Sequence, residues 1–587
     1  MRLSHAAGIV AVVALALRLA FLAEARHFPT FESPLVDAFV YDRDARAVAA
    51  GGPGAMELPY YQPPGYPMLL GAVYAVTGGS WLAPRVLQAA AGALTAALVF
   101  LLAARTGGTR AGWIGGLLMA AHLPALYFEG ELLPPAWILL LETAALLLLA
   151  EADRSGDTRR RPVIAALLLG LSAVLRPTAL LLAAGAGVWW LRGTGRPRSR
   201  RPPARHAALA LAALALPILP FASANVIGGK EPVAISWNGG INFYVGNGAG
   251  SDSLTAIQPG FAWDRLQREP LRDGVRPGGG ESRYWFRRGV REAAADPAAW
   301  AAALGRKTLR FLDRRETPRN TDWEAFRPLS RVLSLPLPGF GILAPLALLG
   351  FAARGADRRL RSLLLIAVAA VAVENLLFFV AGRYRLQAVP ALAAMAGVGA
   401  ASLMAAPRRI PRAALIAAAL LALVTQWDFL GERDVDEARA ALNRGVALRR
   451  AGDVDGAARE FEAALSADPA DPDAHRWRGE VALTREDPRR ALLHFDEALA
   501  GAPDYVRVLL GKAAALERLG RAAEAEPAYR DAVKADPWST DARLNYGVWL
   551  AVAGRADEAR HQFEEGIRIN PSDGRLRRNL DRLLGGS

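Results

Sequence analysis

Residues 26–67 read RHFPTFESPLVDAFVYDRDARAVAAGGPGAMELPYYQPPGYP and follow an apolar run, Ala6–Ala25, broken only by Arg18 and Glu24. A run of that length crosses a bilayer at about 20 residues per crossing. It is long for the apolar region of a cleaved leader and carries a mid-segment arginine, so the first helix is expected to be retained. Beyond it, Asp37, Tyr41 and Asp44 are spaced four and three apart, which puts them on one polar face of a helix. Gly51–Gly54 breaks that helix, and the prolines of Tyr60-Tyr61-Gln62-Pro63-Pro64-Gly65-Tyr66-Pro67 fix a stiff turn at the membrane surface. A carboxylate at the mouth of a membrane bundle points to function. The plain alternative is a solvated loop acid.

The chain has 587 residues, 52% of them apolar, and the apolar residues come in blocks. Hydropathy therefore overrules a domain count from length. Spanning segments are expected near 84–104, 111–128, 133–150, 162–175, 178–191, 207–224, 337–353, 362–381, 386–405 and 412–428, eleven with the first. The pair 162–175 and 178–191 is short enough to be re-entrant. Met68–Val76 is too short to span and reads as part of a surface helix of the external loop, 26–83.

The net charge of +14 is gathered in short arginine-rich connectors. With the N-terminus cytoplasmic, Arg105–Arg110, Arg154–Arg161, Arg192–Arg205, Arg354–Arg361 and Arg408–Arg412 all fall inside, as basic loops should. The charge thus reports orientation in a plasma or inner membrane, and nucleic acid is not expected as a partner. The outer (periplasmic) side receives the Asp37 loop, the Glu129–Glu131 turn, Arg176-Pro177, a polar insertion at 225–336, Arg383-Tyr384-Arg385 and everything after residue 428. In the insertion, Trp237–Asn247 reads as turn chemistry around a short aromatic strand-like run. The absence of cysteine excludes disulfides, thiolate catalysis and Cys-containing zinc sites, and the seven scattered histidines offer no metal spacing. Gly246-x-Gly248-x-x-Ser251 lacks the last glycine and the βα context of a dinucleotide fingerprint.

From residue 434 to 587 the chain repeats. Pro469, Pro503, Pro537 and Pro571 recur every 34 residues, with Ala457, Ala491, Ala525 and Ala559, and Phe461, Phe495, Tyr529 and Phe563, at fixed offsets before them. Gly445, Gly479 and Gly547 hold another fixed offset, with Ala513 in the remaining copy. Small residues where two helices cross, an aromatic plug and a terminating proline form the tetratricopeptide signature. Four copies predict an α-solenoid, with Asp573–Leu584 as its capping helix and a protein partner for its surface. Trp427–Glu432 leaves little linker, so the stack is expected close over the external mouth.

The first external loop resembles that of the polyprenyl-phosphate-sugar-dependent glycosyltransferases, the GT-C superfamily that includes protein O-mannosyltransferases and the aminoarabinose transferases of lipid A. In that family an Asp, a Tyr four residues later and an Arg on the same helix precede a KPPLY-like segment. These fall on Asp37, Tyr41, Arg46 and Gln62-Pro63-Pro64-Gly65-Tyr66. Ala38 stands where a second acidic residue often follows, and Gln62 where the family has lysine. The resemblance extends to Trp237–Asn247 with Asn242, to Glu316-Thr317-Pro318-Arg319-Asn320 and to Gly382-Arg383-Tyr384-Arg385-Leu386, so it covers residues 1–428. It implies an all-α polytopic membrane domain, a polyprenyl-phosphate monosaccharide donor and an inverting single displacement.

The residues suit that chemistry. A carboxylate among Asp37, Asp44, Glu129 and Glu131 can take the proton of an attacking hydroxyl, and Arg176, Arg383 and Arg385 can hold a phosphate leaving group. Asp37 is the expected base, with Glu129 and Glu131 as further catalytic candidates. Tyr41, Asp44, Arg46, Gln62, Tyr66, Arg176, Asn242, Arg383 and Arg385 are the substrate-binding candidates. Each has a bland reading: Glu129 and Glu131 as helix-terminal charges, the arginines as snorkelling anchors. A divalent metal is compatible with two carboxylates but not required by them. The acceptor is a hydroxyl of a protein, lipid or glycan. Two other functions compete: a ligase or polymerase of lipid-linked glycans, which lacks the early Asp-x-x-x-Tyr loop, and a non-enzymatic role, either a transporter, which would show internal repeats among its spans and charges at mid-bilayer, or a scaffold whose repeat tail recruits partners.

Overall fold

Long apolar runs become helices, and two of them break where the chain bends. In the computed structural model, which describes residues 2–193, 202–275, 278–319, 321–405, 407–431, 436–571 and 573–585, every regular element among the described residues is helical. Asn320, Glu432 and most of the Arg192–Arg205 connector lie outside the described residues. The chain divides into two compact units: residues 1–256 with 276–435, and residues 257–275 with 436–587.

In the first unit, five helices are long and apolar enough to cross a membrane: Leu3–Ala25, Leu82–Gly107, Pro135–Ser155, Arg358–Leu377 and Gly382–Ala405. Two bent pairs, Thr109–Ala120 with Leu123–Gly130 (49°) and Ala204–Ala215 with Leu219–Ile227 (55°), raise the number to seven. Pro217 sits in the second break, and Pro124 stands in the first turn of the helix that follows the first break, where its missing amide costs no helical bond. The other expected spans are helical but only 13 to 16 residues long: Arg160–Leu175, Ala179–Arg192, Phe340–Ala352 and Arg412–Gln426. The protein is thus a multi-pass membrane protein.

The bundle is organised around residues 382–405, whose side chains from Val389 to Val398 are all buried. A helix enclosed on every side needs small residues where its neighbours approach. A Cβ on Gly397 would collide with the Ala111 carbonyl, and one on Gly399 with that of Leu346. The first helix is integral to this packing: Arg18 is 1% exposed and meets Glu129 at 2.5 Å.

Every regular element of the 225–336 insertion among the described residues is helical, with irregular segments between them. Where the sequence suggests a strand-like run, Gly239–Asn247 is a helix. Ile241, Tyr244 and Val245 stand at helical spacing and are buried, with the Tyr244 ring 4.7 Å from that of Trp285 and tilted to it, so they form one side of a helix.

The second unit holds four helix pairs, Glu437–Arg450 to Ala556–Ile569, and the cap Gly574–Gly585. Phe461, Phe495 and Phe563 are at most 1% exposed and fill the space left by Gly445, Gly479 and Gly547, where a Cβ would strike the ring. Leu576 of the cap is fully buried against Gly566. The expected α-solenoid is present, and the unit also contains the helix Phe261–Arg272.

Candidate functional site

Asp37 opens the helix Val36–Gly51, where a carboxylate favours the positive end of the helix dipole. Ala38, Tyr41, Ala45 and Val48 form its buried stripe, and Ala45 and Val48 pack closely on Gly71 of the helix Gly65–Thr77. Fixed in this way, Asp37 keeps a side chain 24% exposed and accepts from Arg383 Nη2 at 2.7 Å and from Gln62 Nε2 at 3.2 Å. Tyr41, one turn on, is buried edge-on to Tyr66 at 5.2 Å. Burial, with Asp37 beside it, pushes the Tyr41 hydroxyl above its ordinary value.

Tyr384 is the centre of the positive side. The guanidinium of Arg176 lies 3.6 Å from its ring centroid and that of Arg383 4.8 Å, while Arg383 donates to its hydroxyl at 2.9 Å. Arg176 also pairs with Glu374. Arg319 stacks on Phe379 at 4.8 Å and donates to the Thr255 carbonyl at 2.7 Å, and burial lowers it from its ordinary value. Arg176, Arg319 and Arg383 thus gather around one aromatic pair with the carboxylates of Asp37 and Glu374.

Backbone contacts assemble these residues. Trp237 N donates to Tyr60 O (3.1 Å) and Asn238 N to Tyr61 O (3.2 Å), joining the proline segment to the insertion. Gly65 packs on the Val174 carbonyl, two residues before Arg176. Gly382 N donates to Thr317 O at 2.9 Å. The separate motif segments of the sequence therefore converge, and Asp37, Tyr41, Gln62, Arg176 and Arg383 stand together.

The remaining candidates have other partners. Arg46 donates to Asp42 at 2.9 Å and lies between Tyr74 and Trp81, and Asp44 pairs with Arg43 at 2.7 Å. Tyr66 donates to Gln88 Oε1 at 2.6 Å, and Gln88 donates to the carbonyls of Glu129 and Glu131. The Glu129 carboxylate is held by Arg18, while burial raises Glu131 to about 7 against the opposing charge of Arg85. Arg385 is 1% exposed and committed to Glu316 and to the carbonyls of Arg310, Phe311, Asp313 and Arg315. Asn242 is half-buried on the Gly239–Asn247 helix.

Sequence reasoning missed Glu142, Glu374 and Gln387. With its amide nitrogen facing Glu374 (3.3 Å), Gln387 accepts from Arg176 at 3.2 Å. Glu142 accepts from Ser172 at 3.0 Å and lines a small cavity with Thr143, Leu182, Gln387 and Pro390; Asp37, Arg176 and Arg383 are not among its lining residues. The available signal was a lone acid inside an apolar run, at Glu142 and at Glu374. Among the described residues no three His, Asp or Glu side chains converge to hold a metal ion.

Comparison with known proteins bears on this arrangement. Residues 61–222 match the family model of the dolichyl-phosphate-mannose-protein mannosyltransferases. That span contains Gln62, Tyr66, Glu129, Glu131 and Arg176, and supports a membrane glycosyltransferase at the level of the family. Tetratricopeptide repeat models match residues 442–506, 478–540 and 516–582. No curated protein sequence matches the chain significantly. Among solved structures, Pseudomonas aeruginosa pilF is 24% identical and covers 26% of this chain and 68% of its own, with a TM-score of 0.25. A thermophilic tetratricopeptide repeat protein of Thermus thermophilus is also 24% identical, with coverages of 25% and 82% and a TM-score of 0.24. MamA of Desulfovibrio magneticus is 19% identical, with coverages of 26% and 86% and a TM-score of 0.24.

Proposed function

We propose that residues 1–428 transfer a sugar from a polyprenyl-phosphate-linked donor to an acceptor hydroxyl on the external face of the membrane, with Asp37 as general base. The observation that carries this reading is the Arg383–Asp37 contact at 2.7 Å, beside Arg176 and the Tyr384 ring. The acceptor oxygen attacks the anomeric carbon as its bond to the phosphate oxygen breaks. The hydroxyl proton passes to Asp37, and the polyprenyl phosphate leaves with its charge held by the arginines.

The resting ion pair gives this scheme an order of events. A carboxylate beside a guanidinium is a weak base. A donor phosphate competes for the Arg383 fork, and planar bidentate pairing favours phosphate there. Once Arg383 turns to the donor, Asp37 regains basicity, so the base is strongest only when the leaving group is in place. Arg176, already stacked on Tyr384, completes the cradle. In this reading the N-terminus is cytoplasmic and the repeats are external, because the arginine connectors cluster on one side.

Purified protein in liposomes with a panel of polyprenyl-phosphate monosaccharides tests the reaction. Transfer to a peptide or lipid hydroxyl with inverted anomeric configuration is expected. Transfer from nucleotide sugars instead, or retained configuration, overturns the reading. Glycan mass spectrometry of cells with and without the protein then names the acceptor.

A further inference from the structure

Residues 257–275 belong to the repeat unit although the sequence places them inside the 225–336 insertion. Their helix, Phe261–Arg272, sets Phe261, Asp264, Arg268 and Arg272 at offsets of three, seven and eleven, one stripe along one face. Each of the four meets the repeats. The Phe261 ring lies 5.2 Å from that of Tyr505 and packs on the cluster of Ala491, Phe495 and Ala498. Its amide donates to both oxygens of Asp473 at 3.3 Å, and the Tyr505 hydroxyl donates to the same carboxylate at 2.6 Å. A Cβ on Gly260 would overlap Asp473, so only glycine lets the segment enter. Further along, Asp264 pairs with Arg507 at 3.4 Å, Arg268 donates to the Asp504 carbonyl at 3.3 Å, and Arg272 faces the Asp504 carboxylate at 3.5 Å. Leu266, Arg268 and Pro270 are buried.

We propose that residues 257–275 are a tethered pseudo-ligand: they occupy the place where the repeats take an amphipathic helix of a partner protein, and leave it when that helix arrives. The partner helix carries an aromatic residue in its first turn, an acidic residue three positions on and basic residues at seven and eleven. Two features make the occupant displaceable. Its ion pairs are solvent-touched, with the Arg507 side chain 58% and that of Arg272 48% exposed, and such pairs hold weakly. The buried contacts are reinforced by the chain's being joined at both ends, which sets an effective concentration on the order of millimolar. A partner helix must outcompete that concentration, so regulation lies in the tether. The inference is independent of the transferase reading.

The test uses the full-length protein in detergent and a fluorescein-labelled peptide of residues 257–275, followed by anisotropy. The wild-type chain should bind it weakly. Phe261→Ala with Arg268→Ala in the chain empties the place, and the peptide should bind roughly 10- to 100-fold more tightly. Adding Tyr505→Ala to that chain should abolish the gain. Asp264→Arg alone should also open the place, and Asp264→Arg with Arg507→Asp should close it again, which keeps the test independent of folding defects in the alanine chain. No tightening in either opened chain overturns the proposal, as does tightening that survives Tyr505→Ala. A wild-type dimer that Asp264→Arg turns into a monomer would also overturn it, because the segment would then dock on a second copy.

Discussion

Arg383 reaches across 2.7 Å to Asp37 and so joins the helix Val36–Gly51 to the head of residues 382–405, the most buried of the five single-helix spans. Asp37→Asn keeps size and hydrogen bonding but cannot accept a proton. Transfer should fall by about 10²- to 10⁴-fold, the range for loss of a general base. Donor affinity should be retained or rise, because a neutral amide competes less with the donor phosphate for Arg383. Single-turnover assays on folded protein decide it: near-normal transfer by Asp37→Asn would remove the assignment.

Arg176 bears on donor affinity. Its plane lies over Tyr384 and it shares Glu374 with Gln387, so Arg176→Lys loses both the stack and the fork. Donor affinity should drop by at least about tenfold, with a smaller effect on the chemical step. Gln62→Lys, next to Asp37, should recover part of that loss by restoring a cation on the proline segment. Equal donor binding by wild type and Arg176→Lys, read by equilibrium binding, would make Arg176 an architectural residue only.

Glu129 separates structure from catalysis. Its carboxylate and the Arg18 guanidinium are each 1% exposed, and Gly92 lies so close that any Cβ would strike both. Breaking one side of a buried pair leaves a stranded charge, at a cost of about 3–5 kcal/mol. Glu129→Gln should therefore lower the melting temperature and folded yield, and any lost transfer should scale with lost fold. A normally stable Glu129→Gln protein with transfer as low as that of Asp37→Asn would return Glu129 to the chemistry.

The helix architecture was legible in the sequence because length, apolar content and a fixed 34-residue spacing are local signals. Phe495 and Gly479 could be paired from register alone, and they do pack together. The Trp237–Asn247 stretch misled because aromatic enrichment also suits strands, and only the distant Trp285 reveals the helix face. At the site, Asp37, Arg176 and Arg383 were visible as polar residues at helix ends. Glu374 and Glu142 were not, since a single acid within an apolar run disappears into the average hydropathy. Arg385 and Arg383 looked alike in sequence, yet one is bound to loop carbonyls and the other to Asp37, a difference created by the distant segment Arg310–Glu316.

Glu281 gives the insertion a pH response. Burial raises its carboxyl to about 7 from 4.5, while the Trp285 indole donates to it at 3.4 Å. The folded form thus holds the proton more tightly than the unfolded chain. Its contribution to stability is complete below the unfolded value and is lost as pH rises through about 7. Between about pH 5 and about pH 8 the loss should be on the order of 2 kcal/mol. Glu281→Gln cannot ionise, so thermal melts of that variant should lack this fall. An unchanged pH dependence in the variant would assign the response to other groups.

Removal of residues 436–587 tests what the repeats contribute. The chemistry proposed here draws on Asp37, Arg176 and Arg383, none of which belongs to the repeat unit, so transfer to a small soluble acceptor should proceed within about twofold of the full-length rate. Modification of the natural acceptor should fall much further if the repeats recruit it or a partner enzyme. The deletion also strips the cover from Phe261, whose ring packs on the Phe495 cluster, and an uncovered aromatic beside Trp263 and Leu266 invites association. The truncated protein should therefore aggregate on size exclusion unless Phe261→Ser is included, and the double change should run as the smaller, monodisperse species. Native-acceptor transfer by that species at the full-length rate would show that the repeats serve a purpose separate from this reaction.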